Sequence, residues 1–78
     1  MARVRFTVQG MKECGPGPAE IVRALDEHEF GQPEFDPAWG IFSVEIDPAR
    51  NTFAGVRRAV AALGKRHGLV YLAVIMSP

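Results

Sequence analysis

The sequence predicts one α+β domain, built from a four-stranded antiparallel sheet with two helices on one face. Segments with apolar residues at every second position predict strands, and segments with apolar residues at helical spacing predict helices. These segments follow one another in the order strand, helix, strand, strand, helix, strand. With 78 residues, of which 47% are hydrophobic and 23% charged, the chain has room for a single small domain, residues 1–78.

Four segments carry strand signals. Residues 2–9 and 42–47 alternate apolar and polar side chains, which is typical of half-buried strands. Residues 32–38 contain two prolines, and proline is tolerated in a sheet mainly at its edge, so we expect a short edge strand there. A turn at 38–40 connects it to the next strand. Residues 69–76 are apolar throughout and form the last predicted strand.

Two segments carry helix signals. Pro18 fits the first turn of a helix, where its missing N–H is not needed, and Gly31 is the predicted end. Thr52 is a suitable N-cap for the second helix, which Gly64 is predicted to end. The apolar positions at helical spacing are Ile21, Val22, Ala24 and Leu25 in the first helix and Phe53, Val56, Val60 and Leu63 in the second.

This order of elements predicts the ferredoxin-like βαββαβ fold. Following the strand directions, we expect three connections to meet at one end of the sheet. They are the glycine- and proline-rich loop at 10–18, the turn that contains Trp39, and the segment 64–68. Residues far apart in the sequence, such as Cys14 and His67, are thereby predicted to become neighbours.

The last strand is apolar on both faces, although helices cover only one face of the predicted sheet. The face away from the helices therefore carries one of two alternating sets: Tyr71, Ala73 and Ile75, or else Val70, Leu72 and Val74. An apolar patch there favours association with a second copy or with another protein. Alternatively, Tyr71 and neighbouring arginine side chains cover the patch in a monomer.

The formal net charge is zero, but the charges are segregated along the chain. Eight of the nine acidic residues lie between 20 and 47, where Arg23 is the only cation, and no acidic residue follows Asp47. The C-terminal cations are Arg50, Arg57, Arg58, Lys65 and Arg66. We expect an acidic side and a basic side, either as solvated surfaces or as guides for docking. Without a basic excess, no nucleic-acid partner is predicted.

Several classes are excluded by composition. One cysteine allows no internal disulfide, and no zinc-finger set of cysteines and histidines is present. The longest apolar run, 69–76, is too short to span a bilayer, and the N-terminus has no signal-peptide pattern, so we predict a cytoplasmic protein with no membrane partner. The loop at 10–18 lacks the ending of a phosphate-binding loop. The chain is therefore predicted not to be an enzyme.

Motifs along nearly the whole chain resemble the heavy-metal-associated domain family, which includes copper chaperones. Gly10-Met11 follows the first strand, and residues 21–25 read Ile-Val-Arg-Ala-Leu, as in the first helix of that family. Residues 44–48 resemble its third strand and turn, and residues 56–64 resemble its second helix. The resemblance implies the same ferredoxin-like fold and a role in handling soft metal ions.

The metal loop departs from the family pattern, Gly-Met-x-Cys-x-x-Cys. Cys14 falls on the first cysteine position after one inserted residue, and Gly17 occupies the second, so the paired thiolates are missing. The resemblance implies a copper(I)- or zinc(II)-binding or chaperone module with a degenerate site. Cys14 and His67 together, or two copies of Cys14 from two chains, would supply the ligands. Alternatively, Cys14 is an incidental thiol and the domain is a metal-independent interaction module that associates with itself or a protein partner.

Overall fold

The computed structural model describes residues 2–28, 30–47, 49 and 52–76. The elements follow in the order β1 (Ala2–Gln9), α1 (Pro18–Glu27), β2 (Gly31–Asp36), β3 (Ile41–Ile46), α2 (Phe53–Lys65) and β4 (Leu72–Ile75). The strands form one sheet in the order β2-β3-β1-β4, and each neighbouring pair is antiparallel. The predicted α+β fold of the ferredoxin-like βαββαβ type is confirmed.

The core lies between the helices and one face of the sheet. Alternate residues of the two central strands point into it, because side chains on a strand alternate between its faces. Phe6 stacks on Phe42 with ring centroids 5.3 Å apart, and Phe35 extends this cluster with its centroid 4.6 Å from Phe42. The buried hydrophobic side chains of the core are Phe6, Ile21, Ala24, Leu25, Phe30, Phe42, Val44, Ile46, Val56, Ala59, Val60, Leu63, Tyr71 and Ala73.

Helix α1 begins at Pro18, as predicted, with Gly17 as its N-cap. The Glu20 carboxylate accepts a hydrogen bond from the Gly17 N–H at 3.4 Å. The predicted end at Gly31 is wrong. The helix ends at Glu27, the N–H of His28 donates to the Ala24 carbonyl, and Gly31 is already the first residue of β2.

The prediction that Gly64 ends α2 is also wrong, because Gly64 is a packing residue within the helix. Helix α2 continues to Lys65, and Gly64 is buried. A Cβ atom at Gly64 would lie 2.8 Å from Cγ of Tyr71, closer than real contacts allow, so glycine is needed for the Tyr71 ring to approach. The chain reverses instead at Gly68, whose φ is +72°.

The last strand is shorter than the predicted segment 69–76. β4 pairs only with β1, and the final register pair is Gln9 with Leu72. Because β1 ends at Gln9, the residues before Leu72 have no strand to pair with. At the opposite edge, β2 matches the predicted edge strand, and a tight turn at residues 37–40 joins it to β3. The predicted turn at Pro48 and the cation Arg50 lie outside the described residues.

Candidate interaction surface

Cys14 lies on the loop between β1 and α1, and His67 lies in the turn after α2. Cys14 is exposed, within a turn closed by a 3.0 Å hydrogen bond from the Gly15 N–H to the Lys12 carbonyl. His67 is also exposed, and its N–H donates to the Gly64 carbonyl at 2.9 Å. Neither side chain is sequestered in the core, so both are accessible to solvent.

The loop that carries Cys14 packs against the segment that follows His67. The Tyr71 hydroxyl, which is buried, donates to the Pro16 carbonyl at 2.8 Å. A Cβ at Gly15 would lie 2.7 Å from the Tyr71 hydroxyl, so the loop main chain rests directly on this side chain. The two connections therefore meet at the end of the sheet where β1 finishes, which we call the upper end.

This meeting of the loops does not by itself form a metal centre. No hydrogen bond between described residues joins Cys14 to His67. Within residues 2–28, 30–47, 49 and 52–76, no three His, Cys, Asp or Glu side chains form a group that could hold a metal ion. The geometry brings the two connections together without a group of three such ligands among the described residues.

The sheet face away from the helices, called here the open face, carries further exposed side chains. On β1 and β3 this face presents the residues that alternate with the core positions. The register places Arg3 beside Glu45 and Arg5 beside Ser43, and it ends with Phe6 beside Phe42, the neighbours of Thr7 and Ile41 in the chain. On the other side of β1, Thr7 pairs with Val74 and Gln9 with Leu72.

The structure decides which face of the last strand is exposed. Tyr71 and Ala73 are buried against the helices, so Val70, Leu72 and Val74 belong to the open face. Val70 is 87% exposed, Leu72 is 48% exposed, and Val74 is half-buried. This row of aliphatic side chains, called here the β4 strip, lies at the upper end of the open face.

A groove lies on the other side of the open face, beside the turn between β2 and β3. It has a volume of about 450 Å³ and is lined by Arg5, Asp36, Trp39, Ile41 and Ser43. Trp39 is 77% exposed although it is the largest apolar side chain of the protein. Its position was predicted only as part of a turn. A tryptophan in a solvent-facing turn is itself a signal of a contact surface, since this residue is enriched at interfaces.

The lower end of the open face is charged. Arg3 of β1 forms an ion pair with Glu34 and lies 3.8 Å from a carboxylate oxygen of Glu45. It also donates to the Ser43 hydroxyl at 3.0 Å and so links three strands. Arg5 takes part in none of the ion pairs between described residues. The upper half of the open face is thus mainly apolar, with the charged side chains of Asp36 and Arg5 in the Trp39 groove, and the lower half is charged.

Edge β2 of the sheet is protected against the addition of a strand. It contains Pro33, and its pairing with β3 is irregular between Gly31 and Glu34, features that keep other strands from an edge. Edge β4 has neither proline nor charge. Its Ala73 is 0% exposed and α2 packs on the strand, but Ile75 is 45% exposed, so this edge is covered only in part.

The fold and this surface define a ferredoxin-like α+β domain with a partly apolar open face. Comparison with protein-family models, with curated proteins and with solved structures gives no match. The similarity to heavy-metal-associated domains therefore rests on the sequence motifs alone. Among the described residues, neither helix has the length and apolar character needed to cross a bilayer.

Proposed function

We propose that this protein is a protein-interaction module that binds its partner through the upper half of the open face. The observation that carries the proposal is the exposure of three large apolar side chains, Trp39, Val70 and Leu72, on the same half of the same sheet face. Exposed apolar side chains grouped on one face in this way mark interaction sites in soluble proteins. The role proposed is binding rather than catalysis.

The energetics favour a contact centred on Trp39. A tryptophan side chain buries about 150–250 Å² at an interface, so at about 25 cal/mol per Å² its burial contributes roughly 4–6 kcal/mol before ordering costs. Residues of this type carry much of the binding energy of protein interfaces. The neutral side chains of Thr7 and Gln9 lie between the Trp39 groove and the β4 strip, so their burial opposes docking less than burial of a charge would.

The test uses the tagged chain as bait for a second copy and for proteins of a cell extract. Leu72→Glu places a charge on the β4 strip, and Trp39→Ala removes the largest apolar group. Ala61→Glu is the matched control, since it places the same charge on the exposed surface of α2. We expect the bait and the control to retain the same partner, and both open-face variants to lose it. Equal retention by all four chains would contradict the proposal.

We propose a second function, soft-metal binding at Cys14, because the Cys14 loop packs on the segment next to His67. In this proposal the resemblance to heavy-metal-associated domains reflects a common function, and copper(I) or zinc(II) is the ligand. The hydrogen bond from Tyr71 to the Pro16 carbonyl supports it by holding the loop at the same end as His67. A thiolate and an imidazole are suitable donors for both ions.

Anaerobic titration of the reduced protein with Cu(I) and Zn(II) tests this second function. We expect saturable binding that Cys14→Ala abolishes. If His67 is the second ligand, His67→Ala weakens binding and the stoichiometry is one ion per chain. If two chains share the ion, His67→Ala has no effect and the stoichiometry is one ion per two chains. His28→Ala is the control, since His28 lies in the cap of α1. Equal weak binding by all variants would contradict metal binding.

A further inference from the structure

We infer that the partner is a second copy of this chain, bound open face to open face about a two-fold axis parallel to the strands. The inference rests on the proposed function and adds the identity and orientation of the partner. Two-fold association is the commonest form of oligomer, and it requires the surface to be complementary to itself. Two sets of groups on the open face meet this requirement: the apolar side chains Trp39, Val70 and Leu72, and the charge pair of Arg3 and Glu45.

The strand order decides which elements face each other. Rotation about an axis parallel to the strands keeps the upper half of one copy on the upper half of the other. It also reverses the order β2-β3-β1-β4 from left to right. Strand β2 and the turn after it then face the partner's β4, and strand β3 faces the partner's β1.

The apolar groups are complementary in this arrangement. Trp39 projects from the β2 and β3 side of the upper half, and the β4 strip lies on the opposite side. The rotation therefore places Trp39 of each copy over the partner's Leu72 and Val70. The contact occurs twice, and Thr7 and Gln9 lie near the axis, where they face the partner's β3. The Asp36 carboxylate, on edge strand β2, faces the partner's β4 strip.

The charges are complementary as well. Arg3 on β1 and Glu45 on β3 lie in the same row of the sheet. Since β3 faces the partner's β1, Glu45 lies over the partner's Arg3, and Ser43 lies over the partner's Arg5. Opposite charges therefore meet across the interface, which favours this register and suppresses others.

The other face-to-face arrangement is disfavoured. Rotation about an axis in the sheet plane but perpendicular to the strands places the upper half of one copy over the lower half of the other. Trp39 would then cover the charged group formed by Arg3, Glu34 and Glu45. Removing these charges from water and placing them against apolar groups costs free energy. No new charged or polar partner compensates for this cost. The axis parallel to the strands is therefore the favoured one.

The area of the open face determines the expected strength of dimerisation. Four strands about 4.8 Å apart and about 20 Å long form a face of roughly 400 Å² per copy, to which the projecting side chains add. Two such faces bury on the order of 1,000 Å², the lower limit for a specific interface. The dimer is accordingly a reversible one, populated at micromolar rather than nanomolar concentrations.

Analytical ultracentrifugation of the purified protein from about 5 to 500 µM, the concentrations that such an interface requires, tests the inference together with fluorescence. Trp39 is the only tryptophan, so a blue shift of its emission with concentration reports its burial directly. We expect a monomer–dimer equilibrium with this shift. Leu72→Glu weakens dimerisation by about tenfold or more, whereas Ala61→Glu leaves it unchanged. A wild-type chain that stays monomeric throughout overturns the inference.

A charge exchange tests the orientation. Glu45→Arg and Arg3→Glu each bring like charges together in the homodimer, and each weakens it. In an equimolar mixture, the new cation at position 45 of one chain meets the new carboxylate at position 3 of the other. At the other of the two symmetry-related contacts, the native Glu45 still meets the native Arg3. A heterodimer therefore forms with nearly wild-type affinity. Circular dichroism of each variant checks that the monomer stays folded. A mixture as weak as its components overturns the proposed register.

These outcomes separate the inference from the proposed function. A chain that is monomeric alone, but captures another protein in a manner that depends on Leu72, overturns the second-copy inference and leaves the interaction module standing. A chain that neither dimerises nor captures a partner overturns both.

Discussion

Tyr71 connects the core to the upper end of the sheet. Its ring packs on Gly64 of α2, and its buried hydroxyl donates to the Pro16 carbonyl in the loop before α1. One side chain thus fixes the position of a loop that is 55 residues away in the sequence. A buried carbonyl that loses its donor costs free energy, so this hydrogen bond contributes to the stability of the fold.

Tyr71→Phe removes this hydroxyl and keeps the ring. We expect the free energy of unfolding to fall by about 1–2 kcal/mol, because the Pro16 carbonyl loses its buried donor. Urea denaturation followed by circular dichroism measures the change. Amide hydrogen exchange at Gly15 and Gly17 should also accelerate as the loop is released. Unchanged stability together with unchanged exchange would show that the hydrogen bond does not hold the loop.

At the scale of elements, β2 combines several features that keep its edge free of other strands. Pro33 cannot donate to a ladder, and Gln32 has a φ of +43°, at the irregular pairing between β2 and β3. On the open face, the C-terminal half of β2 carries the carboxylates of Glu34 and Asp36, which are two residues apart. Proline, irregular pairing and charge are the usual protections of a sheet edge.

Gln32→Gly is expected to stabilise the protein by about 0.5–1 kcal/mol. A non-glycine residue in the left-handed region costs about 1–2 kcal/mol, part of which glycine recovers despite its larger entropy in the unfolded chain. The Arg3 side chain donates to the main-chain carbonyl of residue 32, a contact that glycine keeps. Gln9→Gly, in regular strand β1, is the control and should destabilise. Equal losses in thermal denaturation would contradict this explanation.

At the scale of the molecule, the zero net charge is the sum of two surfaces of opposite sign. Helix α1 and strand β2 pack together and carry Glu20, Asp26, Glu27, Glu34 and Asp36. Helix α2 and the turn after it carry Arg57, Arg58, Lys65 and Arg66. The segregation along the sequence therefore becomes a separation in space. The electric field of two oppositely charged surfaces orients a molecule as it approaches another charged surface. Salt weakens this effect.

This separation predicts retention on a cation exchanger at neutral pH and low salt. We expect Arg58→Gln with Lys65→Gln to elute at a markedly lower salt concentration, because the basic surface makes the contact. Lys12→Gln with Arg23→Gln changes the net charge equally but leaves α2 intact, so it should elute close to the wild-type chain. Equal shifts for both double variants would show that net charge alone controls retention.

Periodicity predicted most of the fold because burial on one face imposes it locally. The alternation of apolar and polar residues in β1 and β3, and the helical spacing of apolar residues in α2, indicate which side of each element faces the core. The wrong predictions concern residues whose role depends on contact with a residue that is distant in the sequence. Gly64 was predicted to end α2, yet it is glycine because the Tyr71 ring lies against it.

The candidate surface was only partly predictable for the same reason. The sequence indicated that the last strand has an exposed apolar face and left two residue sets open. Burial of Tyr71 under α2 selected Val70, Leu72 and Val74 for the open face. Trp39 came to lie beside Arg5 and Ile41 only through the pairing of β1 with β3, which no local pattern records.

The sequence by itself determined the order of elements, the α+β class and the segregation of charge, because each depends on neighbours within a few positions along the chain. Only the tertiary structure decided that the two ends of the sheet differ, with Trp39 and the β4 strip at one end of the open face and the ion pairs of Arg3 at the other. That division arises from the register between strands. Register brings together residues that are far apart in the sequence, and no local sequence pattern indicates which of them are in contact.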